Sequence, residues 1–296
     1  MGKMFDALKR AEQEKEPPLE DGFRKDTPEE IVFDDKLAAY FQPMSMAAEQ
    51  LRRLRTIIMK AGVEGHPPKT LLVTSAVAGE GKSLIAANLA MMLAVELHSH
   101  ALLVDGDLRN PSLGKMFGLQ EKKGLANYLN GEAEIEDLFI KTPIERLSLI
   151  CSGRAAENPV ELMGSNKMKT LIEELRSRYE DRFIIFDSSP ILATTEPSVL
   201  YKMVDGVILI VRAGSTPRES VLQAMRVFEK GKILGVVLNN LEFKTRAMIQ
   251  RNFGARHYYY DYRGDKPKTD ERVWKKWWDI IGGEKGMPRK IGSPRK

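Results

Sequence analysis

Cysteine is almost missing from this 296-residue chain. Cys151 is the only one, so neither a disulfide framework nor a cysteine-rich metal site can be built, and a reducing compartment is expected. It follows the strand-like run RLSLI and reads as a small buried hydrophobe. Long apolar runs are missing too: none approaches the roughly 18 to 20 residues needed to cross a bilayer. The N-terminal MGKMFDALKRAEQEK has no apolar core of the kind a signal peptide needs, so a cytoplasmic location is expected. Excess positive charge is scarce outside the C-terminal tail. Residues 263–296 hold 11 Lys or Arg against 5 Asp or Glu, which leaves residues 1–262 at −1 of the overall +5. That placement argues only weakly for a nucleic-acid-binding fold, and better for a basic appendage that meets a membrane surface or an acidic partner, so no nucleic-acid partner is expected. Aromatic residues are sparse at 7%, yet four of the eight tyrosines, Tyr258, Tyr259, Tyr260 and Tyr262, crowd into ARHYYYDYRGD. Their flanks are Arg, His, Asp and Gly, which suits neither a buried nor an alternating strand; a solvated aromatic edge or a partner-binding patch is the plain reading.

The length fits one α/β domain of roughly 200 residues with extensions. Met1 to about Lys15 reads as a short amphipathic helix with Met4, Phe5, Leu8 and Ala11 on one face, and Glu16 to Pro43 as an extended acidic linker with Pro17, Pro18, Pro28 and Pro43. Ser45 is the expected N-cap of a helix MAAEQLRRLRTIIMKAG whose apolar stripe is Leu51, Leu54, Ile57 and Ile58; Glu49, Arg52 and Arg55 recur every third residue on another face. After Pro67 and Pro68, strands and helices alternate: TLLVTSA, a helix over Lys82 to Leu97, ALLVDGD, RLSLICS, a helix in MKTLIEELRSRY, RFIIFDSS, DGVILIVRA, a helix in PRESVLQAMRVFEK, and KILGVVLNN. The strand runs are short, rich in Val, Ile and Leu, and not alternating, as in strands buried on both faces of a parallel sheet. The expected fold class is α/β, a doubly wound, mostly parallel sheet with its ligands at the carboxyl ends of the strands.

Three strand ends carry the chemistry. SAVAGEGKS (75–83) joins a strand to a helix, so backbone N–H groups converge on phosphate with the helix dipole behind them. The loop residues Ala78, Gly79, Glu80, Gly81, Lys82, Ser83 and Leu84 are the candidate nucleotide contacts, with Lys82 reaching the β and γ phosphates and the Ser83 hydroxyl on Mg²⁺. The usual GxxxxGK[ST] pattern has Gly where this chain has Ala76. Asp105 and Asp107 in LLVDGDLRNP could mark a hairpin, since Asp-Gly is a hairpin signal. Asn110, Pro111 and Gly114 continue an irregular loop instead, which leaves two carboxylates where metal and a phosphoryl acceptor belong. Asp187, after FIIF, is in the Walker B arrangement, in which the carboxylate holds Mg²⁺ directly or through its water.

With these elements in order, residues 45 to 262 resemble the bacterial tyrosine kinases (BY-kinases) of capsular and exopolysaccharide synthesis. The resemblance rests on the Walker A GEGKS, the Walker A′ DGDLR, the Walker B FIIFD, the ExxRxxR of EQLRRLR and the tyrosine cluster. The chain departs from the family pattern at Ala78, where proline is usual, and at Ser188 and Ser189 after the Walker B aspartate, where Thr and Pro are usual. The start MFDALKRAEQEK is similar to stand-alone kinases of exopolysaccharide loci. The resemblance implies a P-loop NTPase of the partitioning-ATPase-like superfamily using ATP and Mg²⁺. Asp105 would accept the tyrosine proton, and Ser83, Asp107 and Asp187 would organise the metal. Tyr258, Tyr259, Tyr260 and Tyr262 would be phosphoacceptors entering a neighbouring subunit, and Glu49, Arg52 and Arg55 would pack a homo-oligomeric ring. It also implies a separate membrane-embedded chain-length protein as activator, and so a position at the inner face of the plasma membrane.

Three rivals share the fold or its ligand. A switch ATPase of the partitioning type carries a signature lysine where this chain has Val77, a metal-cluster carrier wants paired cysteines, and a silent adaptor would bind nucleotide without chemistry. The expected organisation is an N-terminal segment and linker at 1–44, a kinase domain at 45–254, the cluster at 255–265 and a basic extension at 266–296. In that extension Trp274, Trp277, Trp278 and Ile281 fall at helical spacing. Docking on the domain or a sister subunit, or contact with a membrane surface or partner, would use such a stripe.

Overall fold

The computed structural model describes residues 34–61, 67–96, 99–119, 123–178 and 181–241. The N-terminal amphipathic segment, the tyrosine cluster and the Trp-containing extension lie outside them. Among the described residues, no helix is long and apolar enough to cross a membrane.

Seven strands form one sheet in the order β3-β4-β2-β5-β1-β6-β7. They are β1 (Thr70–Ser75), β2 (His100–Asp105), β3 (Ile140–Lys141), β4 (Leu147–Ile150), β5 (Arg182–Asp187), β6 (Gly206–Arg212) and β7 (Ile233–Asn239). All neighbours run parallel except β3, which lies antiparallel on β4. Every residue of β1, β4 and β5 is buried, so their apolar residues do not alternate with exposed ones.

The sheet is covered on both sides. On one face Leu71, Val73, Leu103 and Ile185 pack against the helix Lys82–Ala94, with Ala86, Leu89, Ala90 and Leu93. On the other, Leu72, Leu102, Ile184 and Leu209 meet Met168, Leu171 and Leu175 of the helix Asn166–Arg178. Alternate residues of one strand therefore feed opposite cores. The helix Lys82–Ala94 is itself buried nearly all round, because Ala38–Phe41 and Met46–Lys60 lie over it. Its alanines let those helices approach closely.

Two expectations need correction. The linker does not extend to Pro43: Ala38–Phe41 is a helical turn with Leu37 and Tyr40 fully inside the core, and its Ala39 N–H donates to Asn88 Oδ1 at 2.8 Å. Neighbouring prolines and acids disguise a segment that is ordered by tertiary packing. In Met46–Lys60, Ser45 caps as expected and Leu51 and Ile58 are buried, but Ile57 is 58% exposed and leaves the stripe.

Candidate active site

The strand order β2-β5-β1 sets the three acidic and phosphate-binding motifs side by side at their carboxyl ends. Asp105 and Asp187 are direct register partners on β2 and β5. The Asp105–Asp107 segment is a loop and not a hairpin: Gly106 N–H donates to the Asp187 carbonyl at 2.8 Å. A Cβ on Gly106 would stand 2.7 Å from that same oxygen, so the glycine between the two acids is required by close approach to the Walker B backbone.

The phosphate loop turns from β1 into the helix Lys82–Ala94 through two left-handed glycines, Gly79 (φ 79°) and Gly81 (φ 86°). Gly81 is constrained twice, since a side chain there would strike Asn239 Nδ2. Lys82 Nζ reaches across to Asp107 Oδ2 at 2.9 Å and to Asp187 Oδ1 at 3.9 Å. The lysine is thus held over the acids at the mouth of the loop. Asp107 Oδ1 accepts from Asn110 N–H, at 3.0 Å.

Asp105 anchors its own loop. Its Oδ2 accepts from Ser112 N–H (3.1 Å) and Leu113 N–H (3.0 Å), and its Oδ1 from Asp107 N–H (3.3 Å). Of the roughly four lone-pair sites on a carboxylate, one on Oδ1 stays open. Burial pushes the Asp105 carboxyl up to about 6, against the pull of the two backbone N–H groups. Burial pushes Asp187 up to about 7, although Lys82 and the Ser83 hydroxyl favour its charged form. Burial also works against the Lys82 charge, but the carboxylates of Asp187 and Asp107 outweigh it and raise the ammonium above its ordinary value.

The donor set fits a divalent cation. Both Asp187 oxygens are completely buried, and their charge is met only by the nearby Ser83 hydroxyl and by Lys82 Nζ at 3.9 Å, with no well-formed hydrogen bond among the described residues, which is costly unless something else meets them. Among the described residues, no three His, Cys, Asp or Glu side chains are arranged to hold a metal unaided. That suits Mg²⁺, which takes one or two carboxylates and fills its shell with phosphate oxygens and water. Ser83, Asp107 and Asp187 are the residues that could hold it.

One prediction arises here. A carboxyl whose folded-state pKa is raised contributes stability that is complete below its unfolded value and is lost as pH rises through the folded value, about 7 for Asp187. At pH 8 the ionised Asp187 should therefore burden the nucleotide-free fold, and Asp187→Asn should raise its stability by about 1–3 kcal/mol while abolishing activity. The difference should shrink steadily as pH falls from about 7 towards the ordinary carboxyl value of 3.8, where wild type and variant converge. A lower melting temperature for Asp187→Asn at pH 8 would contradict the burial argument.

Several site contacts are not apparent from sequence. Arg109 Nε donates to Oε1 of the buried Glu196 at 2.6 Å, tying the Walker A′ loop to the segment beyond Walker B. Asn239, at the end of β7, donates from Nδ2 to the Glu80 carbonyl at 2.8 Å. Glu49, Arg52 and Arg55 are not aimed outward together. Arg52 pairs with Glu49 at 2.6 Å and bonds the Pro43 carbonyl, while Arg55 pairs with Glu96 at 3.0 Å and reaches the Met92 carbonyl.

Comparison with known proteins gives this geometry its relatives. The family model described as "ParA: NUBPL iron-transfer P-loop NTPase" matches residues 67–259. The chain is 34% identical over 230 residues to tyrosine-protein kinase YwqD of Bacillus subtilis, covering 77% of this chain and 91% of that protein. It is 33% identical over 196 residues to tyrosine-protein kinase CpsD of Streptococcus agalactiae, covering 65% and 82%. Among solved structures it resembles the chimerical protein CapA2B2, with a TM-score of 0.65, 31% identity and coverage of 73% of this chain and 95% of that one. It also resembles the kinase domain of the Escherichia coli tyrosine kinase ETK, with a TM-score of 0.66, 27% identity and coverage of 71% and 81%. The chain belongs to the bacterial tyrosine kinases, and is a protein-tyrosine kinase built on the P-loop NTPase fold of the ParA family.

Proposed function

We propose that the protein uses ATP with Mg²⁺ to phosphorylate tyrosines of its own C-terminal cluster, Tyr258, Tyr259, Tyr260 and Tyr262, in a neighbouring subunit, and that this controls exopolysaccharide or capsule synthesis and export. The observation that carries the chemistry is the convergence of Lys82, Ser83, Asp105, Asp107 and Asp187 at three adjacent strand ends. The loop N–H groups from Ala78 to Leu84 cradle the phosphates and Lys82 exchanges Asp107 for their oxygens. The tyrosine oxygen bonds the γ phosphorus, the bond to the bridging oxygen breaks, ADP leaves, and the phenol proton passes to the open lone pair of Asp105. A phenol of pKa about 10 is mostly protonated at neutral pH, so a carboxylate raised towards neutrality suits the task. Bound Mg²⁺ would supply charge neutralisation at the phosphates, held by Ser83, Asp107 and Asp187.

Two features of the sequence speak against the rivals. Val77 stands where switch ATPases carry their signature lysine, and the single buried Cys151 offers no pair for iron transfer. Incubation with ATP and Mg²⁺, followed by phosphotyrosine mapping by mass spectrometry, tests the proposal. The arms run with and without the cytoplasmic segment of a membrane-embedded chain-length protein, the expected activator. ATP hydrolysis with no phosphotyrosine in any arm returns the reading to a switch ATPase.

The unphosphorylated chain is expected to form a ring at the inner face of the plasma membrane, with the basic Trp-containing extension available for the lipid surface. Glu49, Arg52 and Arg55 would exchange their contacts within the chain for contacts between subunits. Arg52→Ala combined with Arg55→Ala should then lower the oligomer mass, since truncating paired charges at an interface is costly. Light scattering at several concentrations checks this; an unchanged mass sinks the assignment. Phosphorylation should also loosen the ring, each phosphotyrosine adding a charge of about −1.5 to −2.

A further inference from the structure

Glu80 is a carboxylate inside a loop built to bind anions, and by charge alone it opposes the ligand. Its side chain does not face the space that phosphate would fill. It is 2% exposed and turned back into the protein. Oε2 accepts from the Val77 N–H at 2.9 Å, within the loop itself. Oε1 accepts from the N–H of Arg212, the last residue of β6, at 3.1 Å and from the hydroxyl of Thr216 just beyond it. The same stretch of loop is held by backbone: the Glu80 carbonyl accepts from Asn239 Nδ2 and the Gly79 carbonyl from Arg212 Nη1 at 3.3 Å.

From this geometry we infer that Glu80 is a positioning residue, whose carboxylate fixes the phosphate loop in its anion-binding shape by fastening it to the carboxyl end of β6, beside a backbone tie to β7. The inference rests on the nucleotide reading above and deepens it. A loop that passes through two left-handed glycines has little intrinsic preference for one shape, and its donors converge only if something holds them. Glu80 supplies that hold with three donors on one carboxylate, and hydrogen bonds to a charged acceptor are the strong ones. It also takes up the Val77 N–H, so the first donor turned towards phosphate comes from Ala78 onward. No other residue type serves as well. Gln would set an amide donor against one of two backbone N–H groups, Asp falls a methylene short, and Ala leaves the Val77 N–H without its acceptor.

The test measures ATP affinity by titration with a fluorescent ATP analogue, together with KM and kcat for tyrosine phosphorylation, on the full chain. Glu80→Ala should weaken ATP binding and raise KM by about tenfold or more, Glu80→Gln by a smaller factor, and Thr216→Val by about two- to fivefold. In each case kcat at saturating ATP should change much less than KM, and nucleotide-free melting temperatures, which fall as the buried hydrogen bonds are lost, show which variants remain folded at the assay temperature. If Glu80→Ala does not fold, Glu80→Gln and Thr216→Val decide the matter by the same ratio. Wild-type ATP affinity in folded Glu80 variants overturns the inference alone. A fall in kcat with unchanged KM also overturns it, because it would place the carboxylate in the chemical step. Failure of the wild type itself to bind ATP overturns the nucleotide reading on which the inference stands.

Discussion

Lys82→Met should lower tyrosine phosphorylation by at least about 10²-fold, the scale set by removing one preorganised donor from a transition-state charge, and should do so in a protein that still folds. Phosphoryl transfer depends on positioning and on opposing charge at the phosphates. Lys82 reaches both Asp107 and Asp187, so on the proposed reading it would lie between the metal-holding carboxylates and the phosphates. Methionine keeps the length and apolar stem of the side chain and removes the charge.

The structure adds a cost to this variant. Lys82 is only 13% exposed and its partner Asp107 4%, and leaving one side of a buried pair uncompensated can cost up to about 3–5 kcal/mol. Because the Lys82 ammonium is raised in the fold, its stabilising contribution is complete below its ordinary value of 10.5 and is lost only at pH above that. Wild type has it in full at pH 8, and the variant lacks it. The neighbouring carboxyls can compensate by taking up protons as pH falls, so the loss should be largest at pH 8 and shrink towards pH 5. Thermal melts at the two pH values, beside quantitative phosphotyrosine mass spectrometry, separate lost chemistry from lost fold. Wild-type phosphotyrosine in folded Lys82→Met would remove Lys82 from the site.

What the sequence reveals of this site is whatever lies at a strand end. GEGKS, DGD and the Asp after FIIF are local strings, and the alternation of apolar runs with helical patterns is enough to bring their strands into one parallel sheet. Contacts of long sequence reach are another matter. Glu80 meets Arg212 and Thr216 at separations of 132 and 136 residues and Asn239 at 159, and no local pattern announces them. The Asp-Gly between Asp105 and Asp107 shows the limit well: the dipeptide signals a hairpin, and only the neighbouring strand shows that its glycine is there to clear the Asp187 carbonyl. Leu37 and Tyr40 are hidden for the converse reason. Their surroundings look like linker, and their helix is too short to persist without the core it enters. Ile57 misleads because the stripe of a helix is narrower than the run of apolar letters that suggests it.

Replacing Tyr258, Tyr259, Tyr260 and Tyr262 together with Phe should collapse self-phosphorylation while leaving ATP binding at the loop from Gly79 to Ser83 intact. The four hydroxyls are the proposed acceptors, and Phe keeps the rings, so the substitution removes chemistry with little change in bulk. The remaining four tyrosines set the floor: any residual phosphate must map to them, and two of these, Tyr40 and Tyr201, are buried in the core. Mixing then tests the direction of transfer. The Phe variant has an intact site without acceptors, and Lys82→Met has acceptors without an intact site. Phosphate appearing on the tail of Lys82→Met can come only from a second chain, and its rate should rise with the concentration of the Phe variant. Persistence of wild-type phosphotyrosine in the Phe variant would move the acceptors elsewhere. A mixture that stays silent while wild type labels its own tail would confine transfer to a single chain, since each tail then has access only to the site that carries it.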